Sequence, residues 1–167
     1  MMLYVMRHGI ALEIGEQGIV TDEDRPLSSE GRERTREIAE GLRALGLDID
    51  LVATSPLPRA EQTARIAAER VGGSPKVVLC EHLRPGGRAA DLILWLRKQS
   101  ARSIVIVGHN PDLGTVISRL ATGTERMSVN LKKAGVCCLS FDGPLLEGAG
   151  VLEWLLPPGQ LRKLGGA

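Results

Sequence analysis

Residues 103–111, with the sequence Ser-Ile-Val-Ile-Val-Gly-His-Asn-Pro, carry the strongest secondary-structure signal in the chain. Four consecutive β-branched residues that end at Gly108 are typical of a strand buried on both faces, as strands of parallel sheets are. Pro111 suits the start of a helix. Apolar residues follow it at helical spacing, namely Leu113, Val116, Ile117, Leu120 and Ala121. A buried strand that leads into an amphipathic helix is the repeating unit of α/β folds.

The same alternation continues on both sides of this segment. Short apolar runs predict strands at residues 3–6, 51–53, 77–79, 136–141 and 151–156. Helices are predicted from Ser28 or Ser29 to Gly46, from Pro56 or Pro58 to Gly72, around residues 92–96 and from Pro111 to Thr122. The last two strands flank a Gly- and Pro-rich segment, which favours an antiparallel pair, and the tail 157–167 has no strong signal. We therefore predict an α/β fold, a three-layer α/β/α sandwich with a mostly parallel sheet.

Length and composition predict one ordered domain that spans residues 1–167. Hydrophobic residues make up 43% and charged residues 25% of the chain, which is ordinary for a globular protein. The net charge of +1, from 21 Lys and Arg against 20 Asp and Glu, provides no overall field for a nucleic acid or an anionic membrane. Four aromatic residues are too few to stack single-stranded bases. We expect neither a nucleic-acid nor a membrane partner.

The cysteines and the hydropathy pattern predict a soluble, cytoplasmic protein. Cys80, Cys137 and Cys138 are odd in number and lack the spacing of a zinc or redox site, so reduced thiols are expected. The first six residues are apolar but too few for a signal-peptide core. No stretch approaches the roughly 18 to 20 apolar residues of a membrane-spanning helix. Cys137 and Cys138 alternate within a predicted strand, so one of them is expected to face inward.

Basic side chains follow three of the predicted strands, where ligands bind in open α/β sheets. Arg7-His8-Gly9 follows the first strand, Arg59 comes shortly after the second, and His109 follows the strongest one. Guanidinium groups can grip the oxygens of a phosphoryl group while an imidazole nitrogen attacks the phosphorus. Neighbouring cations keep that imidazole neutral, and Gly9 lets the backbone come close. This rim is therefore a candidate phosphoryl-transfer site.

Three ordered motifs then resemble those of the histidine phosphatase superfamily. They are Arg7-His8-Gly9, the segment Ser-Pro-Leu-Pro-Arg-Ala-Glu-Gln-Thr-Ala at 55–64, and Gly-His-Asn-Pro at 108–111. The resemblance extends from the first strand to the last helix and implies a phosphoglycerate-mutase-like fold. It makes His8 the nucleophile that becomes phosphorylated. It also implies that Arg7, Arg59 and His109 hold the phosphoryl group, with no metal and no cofactor.

A further segment resembles one subgroup, the small bacterial protein phosphohistidine phosphatases of the SixA type. The short chain and the sequence Asp-Arg-Pro-Leu-Ser-Ser-Glu-Gly at 24–31 are similar to theirs. That subgroup acts on phosphohistidine in phosphorelay domains, so the implied partner is a phosphorylated histidine phosphotransfer domain. Arg25 matches another arginine of the subgroup's site, which adds Arg25 to the substrate-binding candidates. From the sequence alone, Arg25 could instead be an ion-pair partner of Asp22 or Glu23.

The departures from the wider superfamily concern the substrate. Mutase and sugar-phosphatase relatives usually follow Arg-His-Gly with Thr and Asn, whereas this chain has Ile10 and Ala11, and it lacks their long inserted lid. A small-molecule mutase is therefore disfavoured. Glu81, after the third predicted strand, is the one candidate for the general acid that protonates an alkoxide leaving group. A protonated imidazole leaves phosphorus more readily, so a phosphohistidine substrate depends less on that acid.

Other functions stay open at this point. The same residues could serve a phosphomonoesterase that acts on small phosphate esters such as sugar phosphates or nucleotides. A binding module that holds a phosphorylated protein without turnover and a zinc protein are the remaining alternatives. For a protein substrate we expect a shallow pocket that is open to the surface. Arg32, Arg34 and Arg36 are expected to form a solvated helix face, and His82 to lie at the surface.

Overall fold

A computed structural model describes all residues, 1–167. The strands are β1 (Met2–Arg7), β2 (Leu51–Thr54), β3 (Lys76–Leu79), β4 (Ser103–Gly108), β5 (Val136–Ser140) and β6 (Val151–Leu156). The helices are α1 (Ser29–Ala44), α2 (Pro58–Ala68), α3 (Ala89–Leu96), α4 (Asp112–Thr122) and α5 (Pro158–Leu164). Ser28 caps α1, because its Oγ accepts a hydrogen bond from the Gly31 N–H at 2.9 Å. No helix is both long and apolar enough to cross a membrane.

The six strands form one sheet in the order β3-β2-β4-β1-β5-β6. The first four strands of this order pair in parallel, and β5 pairs antiparallel with both β1 and β6. The prediction of a mostly parallel sheet with a terminal antiparallel pair is confirmed. The register of β1 against β4 places Arg7 beside Gly108. The residues that follow the two strands, His8 and His109, therefore emerge side by side at one edge of the sheet.

Helices cover both faces of this sheet, as the three-layer prediction requires. In β1, Leu3 and Val5 belong to a core that includes the apolar residues of α3 and α4. Tyr4 and Met6 point the other way, into a second core with residues of α1, α2 and α5. Successive side chains of a strand point to opposite faces, so burial of both sets explains why the strands are continuous apolar runs. The fold has no large inserted lid.

The adjacent cysteines differ from the expectation that one of them faces inward. Cys137 packs in the core beneath α3 and α4, and Cys138 packs in the core on the opposite face. Both are fully buried because both faces of the sheet are covered. Burial raises the pKa of each thiol to about 12, so both stay protonated at neutral pH.

The C-terminal tail, which has no strong sequence signal, contains α5. Pro158 lies in the first turn of this helix, and Leu161 is buried against α1. The contact is close because Gly41 has no side chain: a Cβ atom there would lie 2.0 Å from the Leu161 carbonyl oxygen. The helix has seven residues and one fully buried side chain, which is too short a pattern for periodicity to reveal.

Candidate active site

The candidate site lies at the carboxyl ends of β1, β2 and β4. His8 follows β1, His109 follows β4, and Arg59 is in the first turn of α2, which begins four residues after β2. The two imidazole rings have centroids 5.0 Å apart. His8, Arg59 and His109 are 7%, 4% and 4% exposed. The structure thus brings together three of the predicted residues in an environment that is largely shielded from solvent.

The surroundings of His8 select which ring nitrogen can react. Nδ1 lies 2.7 Å from the carbonyl oxygen of Gly9. A carbonyl can only accept a hydrogen bond, so we assign the proton to Nδ1, and Nε2 keeps its lone pair. Burial, followed by electrostatic interactions with His109, Arg59 and Arg7, lowers the pKa of His8 to about 3, although the hydrogen bond to the Gly9 carbonyl acts in the opposite direction. The neutral imidazole predicted from neighbouring cations is present, with burial as the larger cause.

His109 is held by a serine that precedes α2. Its Nε2 lies 2.9 Å from Ser55 Oγ, and its Nδ1 is buried without a hydrogen-bond partner. Ser55 Oγ also accepts from the Leu57 N–H at 3.3 Å, which leaves its own proton available to Nε2. Burial and the Arg59 charge lower the pKa of His109 to about 4. His109 is therefore a second neutral imidazole beside His8.

Gly9 joins the two helices that flank the site. Its N–H donates to Thr63 Oγ1 at 3.0 Å, and the Thr63 hydroxyl donates to the Arg59 carbonyl oxygen at 2.7 Å. A Cβ atom on Gly9 would lie 2.6 Å from Thr35 Oγ1 of α1. The absence of a side chain at Gly9 thus allows close packing of α1, in addition to any approach of a ligand.

The loop before α1 reaches the guanidinium group of Arg59. Nη1 of Arg59 donates to the Asp22 carbonyl oxygen at 2.5 Å, and Nη2 donates to the Asp22 carboxylate at 2.8 Å. Hydrogen bonds from Arg25 and Arg59 hold the pKa of Asp22 below its usual range, so the carboxylate is charged. A phosphoryl group has the same sign of charge, so the two anions compete for Arg59. Asp22 therefore occupies the guanidinium group of Arg59 in this structure.

Arg25 and Glu81 both form ion pairs in this structure. Arg25 bridges Asp22 and Glu13, each at 2.8 Å, so it contacts the candidate site through the Asp22 carboxylate. The Glu81 side chain is 70% exposed and pairs with Arg84 at 2.6 Å. Glu81 forms no hydrogen bond to either histidine of the site. Arg25 thus forms the ion pair with Asp22 that the sequence left open.

Arg7 is fixed by a turn, residues 131–135, that the sequence analysis did not single out. Its Nη1 donates to the Leu131 carbonyl oxygen at 3.2 Å, and its backbone N–H donates to the Gly135 carbonyl at 3.2 Å. The Ala134 N–H donates to the carbonyl oxygens of Arg7 and His8, at 3.0 and 3.1 Å. Burial lowers the pKa of Arg7, and its Nε has no hydrogen-bond partner. The turn therefore sets the position of the first predicted arginine.

Sequence reasoning missed Asp22 as a partner of Arg59, Ser55 as a partner of His109, and the 131–135 turn. Ser55 lies within the motif at 55–64, so the sequence did indicate that it belongs to the site. The other two contacts join distant segments, and no sequence pattern indicated them. No cluster of three or more His, Cys, Asp or Glu side chains has the arrangement of a metal site, which gives the zinc alternative no support.

Comparison with known proteins places this geometry in a family. Residues 3–85 match the model of the histidine phosphatase superfamily (branch 1). The chain belongs to this superfamily, as its motifs predicted.

Individual relatives extend the match over nearly the whole chain. An uncharacterized protein of Picosynechococcus sp. is 41% identical, over 94% of this chain and 100% of that protein. The phosphohistidine phosphatase SixA of Escherichia coli is 25% identical, over 97% of each chain. The solved structure of the protein histidine phosphatase SixA complexed with tungstate has a TM-score of 0.83 at 24% identity, covering 96% of this chain and 99% of that one. The fold is therefore of the SixA and phosphoglycerate-mutase-like type.

Proposed function

We propose that this protein is a phosphohistidine phosphatase that works through a phosphorylated His8, without a metal. The observation that carries the proposal is one buried cluster that contains His8, Arg59 and His109. In this cluster His8 is neutral and its Nδ1 is bonded to the Gly9 carbonyl. Such a cluster provides a nucleophile together with the donors that hold a transferring phosphoryl group. In this proposal the cytoplasmic enzyme acts as a single domain of residues 1–167.

In the first step, His8 Nε2 attacks the phosphorus of the substrate. The new N–P bond forms as the N–P bond to the substrate imidazole breaks. That imidazole already carries a proton on its other ring nitrogen, so it leaves as a neutral imidazole. Arg7 and Arg59 hold the phosphoryl oxygens. Because the Ser55 hydroxyl donates a hydrogen bond to His109 Nε2, the proton of this neutral imidazole lies on Nδ1, which is a further donor to the phosphoryl group. The Gly9 carbonyl stabilises the charge that develops on the His8 ring.

In the second step, water attacks the phosphorus of phosphorylated His8. The N–P bond breaks, the electron pair returns to Nε2, and inorganic phosphate leaves as H2PO4−, which carries both protons of the water. The same arginines hold the oxygens in both steps. Because Nδ1 stays bonded to the Gly9 carbonyl, the ring ends the cycle in the tautomer in which it began.

Two observations support phosphohistidine as the substrate. The similarity to SixA extends over nearly the full length of both chains. The Glu81 carboxylate, the one candidate for a general acid, pairs with Arg84 and is largely exposed to solvent. An imidazole leaving group depends less on such an acid than an alkoxide does. In the alternative, a phosphomonoesterase for small esters, Glu81 is the proposed acid.

The test measures phosphate release in EDTA from a phosphorylated histidine phosphotransfer domain and from a panel of sugar phosphates and nucleotides. His8→Ala is expected to abolish turnover while the protein stays folded, and His82→Ala, an exposed histidine, serves as the matched control. Retained activity in folded His8→Ala would refute the mechanism. Preference for an ester would support the phosphomonoesterase. Phosphorylated His8 that releases no phosphate would indicate a binding module.

A further inference from the structure

A basic cavity of about 540 Å³ adjoins the candidate phosphoryl site. Its volume is within the roughly 300–1,000 Å³ of ligand sites. It lies between α1, the start of α5 and the 131–135 turn, and Arg7 and Gly9 form part of its wall. Five of its thirteen lining residues are cationic and none is acidic; the cations are Arg7, Arg34, Lys132, Lys133 and Arg162. Arg34 is exposed, as the sequence predicted, and lies at the edge of this cavity.

Part of this positive charge has no partner in the protein. Arg34 pairs with Glu30 at 2.6 Å, and Arg162 pairs with Glu37. Arg7, Lys132 and Lys133 are absent from every ion pair of the structure. Three uncompensated cations around one cavity create a local field that favours an anion, although the chain as a whole is nearly neutral.

The two lysines are fixed in place relative to the phosphoryl site. They lie in the 131–135 turn, whose backbone bonds to Arg7 and His8 on either side of them. The Gly135 N–H also donates to the Lys132 carbonyl oxygen at 2.8 Å, which closes the turn. A ligand held by Arg7 at one end therefore lies next to the turn that carries Lys132 and Lys133.

We propose that this cavity binds an acidic segment of the phosphorylated protein, with one or more carboxylates next to the phosphohistidine. This inference rests on the proposed function and adds a substrate class to it. Lys132 and Arg34 are exposed at the cavity's rim, where a continuous peptide can run past them. Carboxylates of the partner supply the negative charge that the lining lacks.

The test compares two phosphohistidine peptides that are identical except for Glu or Ser at the flanking positions. Wild type is expected to show a higher kcat/KM for the Glu peptide, mainly through a lower KM. The double substitution Lys132→Glu and Lys133→Glu is expected to lower the ratio of kcat/KM for the Glu peptide over the Ser peptide by about tenfold or more, because it replaces attraction by repulsion. Lys98→Glu, which changes an exposed lysine beyond α3, should leave that ratio unchanged.

Each outcome separates this inference from the proposed function. Equal kcat/KM for both peptides in wild type, or an unchanged ratio in the double variant, would overturn the docking site while phosphohistidine turnover stands. No turnover of either peptide by wild type would overturn the proposed function and this inference with it. Circular dichroism checks that each variant is folded. If the double Glu variant does not fold, the double substitution Lys132→Gln and Lys133→Gln replaces it and is expected to change the ratio in the same direction by a smaller factor.

Discussion

Replacing Asp22 by asparagine is expected to strengthen the binding of a phosphate-like anion. The Asp22 carboxylate bonds to Nη2 of Arg59 at 2.8 Å and is charged, because Arg25 and Arg59 lower its pKa. An incoming oxyanion must displace it from Arg59 or remain close to it. Asparagine keeps the shape of the side chain and the backbone contact to Nη1 while it removes the negative charge.

The size of this effect follows from the exposure of the two partners. The Arg59 side chain is 4% exposed and the Asp22 side chain 53%. Exposed ion pairs are worth about 0.2–1 kcal/mol, and hydrogen bonds to charged groups about 1.5–3 kcal/mol. Because half of the carboxylate is in water, we take about 1 kcal/mol, which corresponds to roughly a fivefold lower Kd for the anion.

Titration calorimetry with inorganic phosphate and with tungstate measures this Kd directly. Asp24→Asn is the matched control, since Asp24 lies in the same exposed loop and its carboxylate bonds to Thr21. If Asp22→Asn weakens anion binding while Asp24→Asn leaves it unchanged, Asp22 orients Arg59 for the anion and does not compete with it. Equal Kd values for both variants and wild type would show that an anion displaces Asp22 from Arg59 at no cost in binding free energy.

Two other predictions concern stability. His8 and His109 are neutral in the folded state, with pKa values of about 3 and 4, whereas an unfolded histidine takes up a proton below about pH 6.5. The unfolded state therefore binds more protons at low pH. Urea denaturation should show that each histidine lowers the free energy of unfolding by roughly 2 kcal/mol at pH 5 relative to pH 7.5. If His8→Asn loses as much stability between these two pH values as wild type, His8 is not a cause of the loss. Gly41→Ala places a Cβ atom 2.0 Å from the Leu161 carbonyl oxygen and should cost about 1–3 kcal/mol, or roughly 2–4 °C of Tm for each kcal/mol. Gly143→Ala, which meets no atom within 4 Å, should leave the Tm nearly unchanged, and equal Tm values for the two variants would show that α5 shifts freely.

The parallel part of the sheet could be predicted because its physical causes are local. The run at 104–107 is apolar throughout since both faces of the strand are covered, and Ser28 begins α1 by a cap that a serine readily forms. The positions of His8 and His109 follow from the same reasoning, because residues just after neighbouring parallel strands must lie together.

Contacts between distant segments could not be predicted in this way. Asp22 meets Arg59 across 37 positions, and Leu131 meets Arg7 across 124, so each contact depends on how whole elements pack. The acceptor of the second contact is a main-chain carbonyl, which leaves no trace in residue type. Cys138 likewise packs in the core to which α5 contributes, and α5 has too short a pattern to recognise.

The turn at 131–135 has an evolutionary consequence. It holds Arg7 and His8 through main-chain atoms of Leu131, Ala134 and Gly135, while the side chains of Lys132 and Lys133 take no part in that support. Substitutions at these two positions can therefore accumulate without displacing the reactive groups. With the docking site proposed above, the side chains at 132 and 133 select the partner, whereas the main chain of the same turn supports the reactive residues. Partner selection can therefore change while the reaction chemistry stays the same.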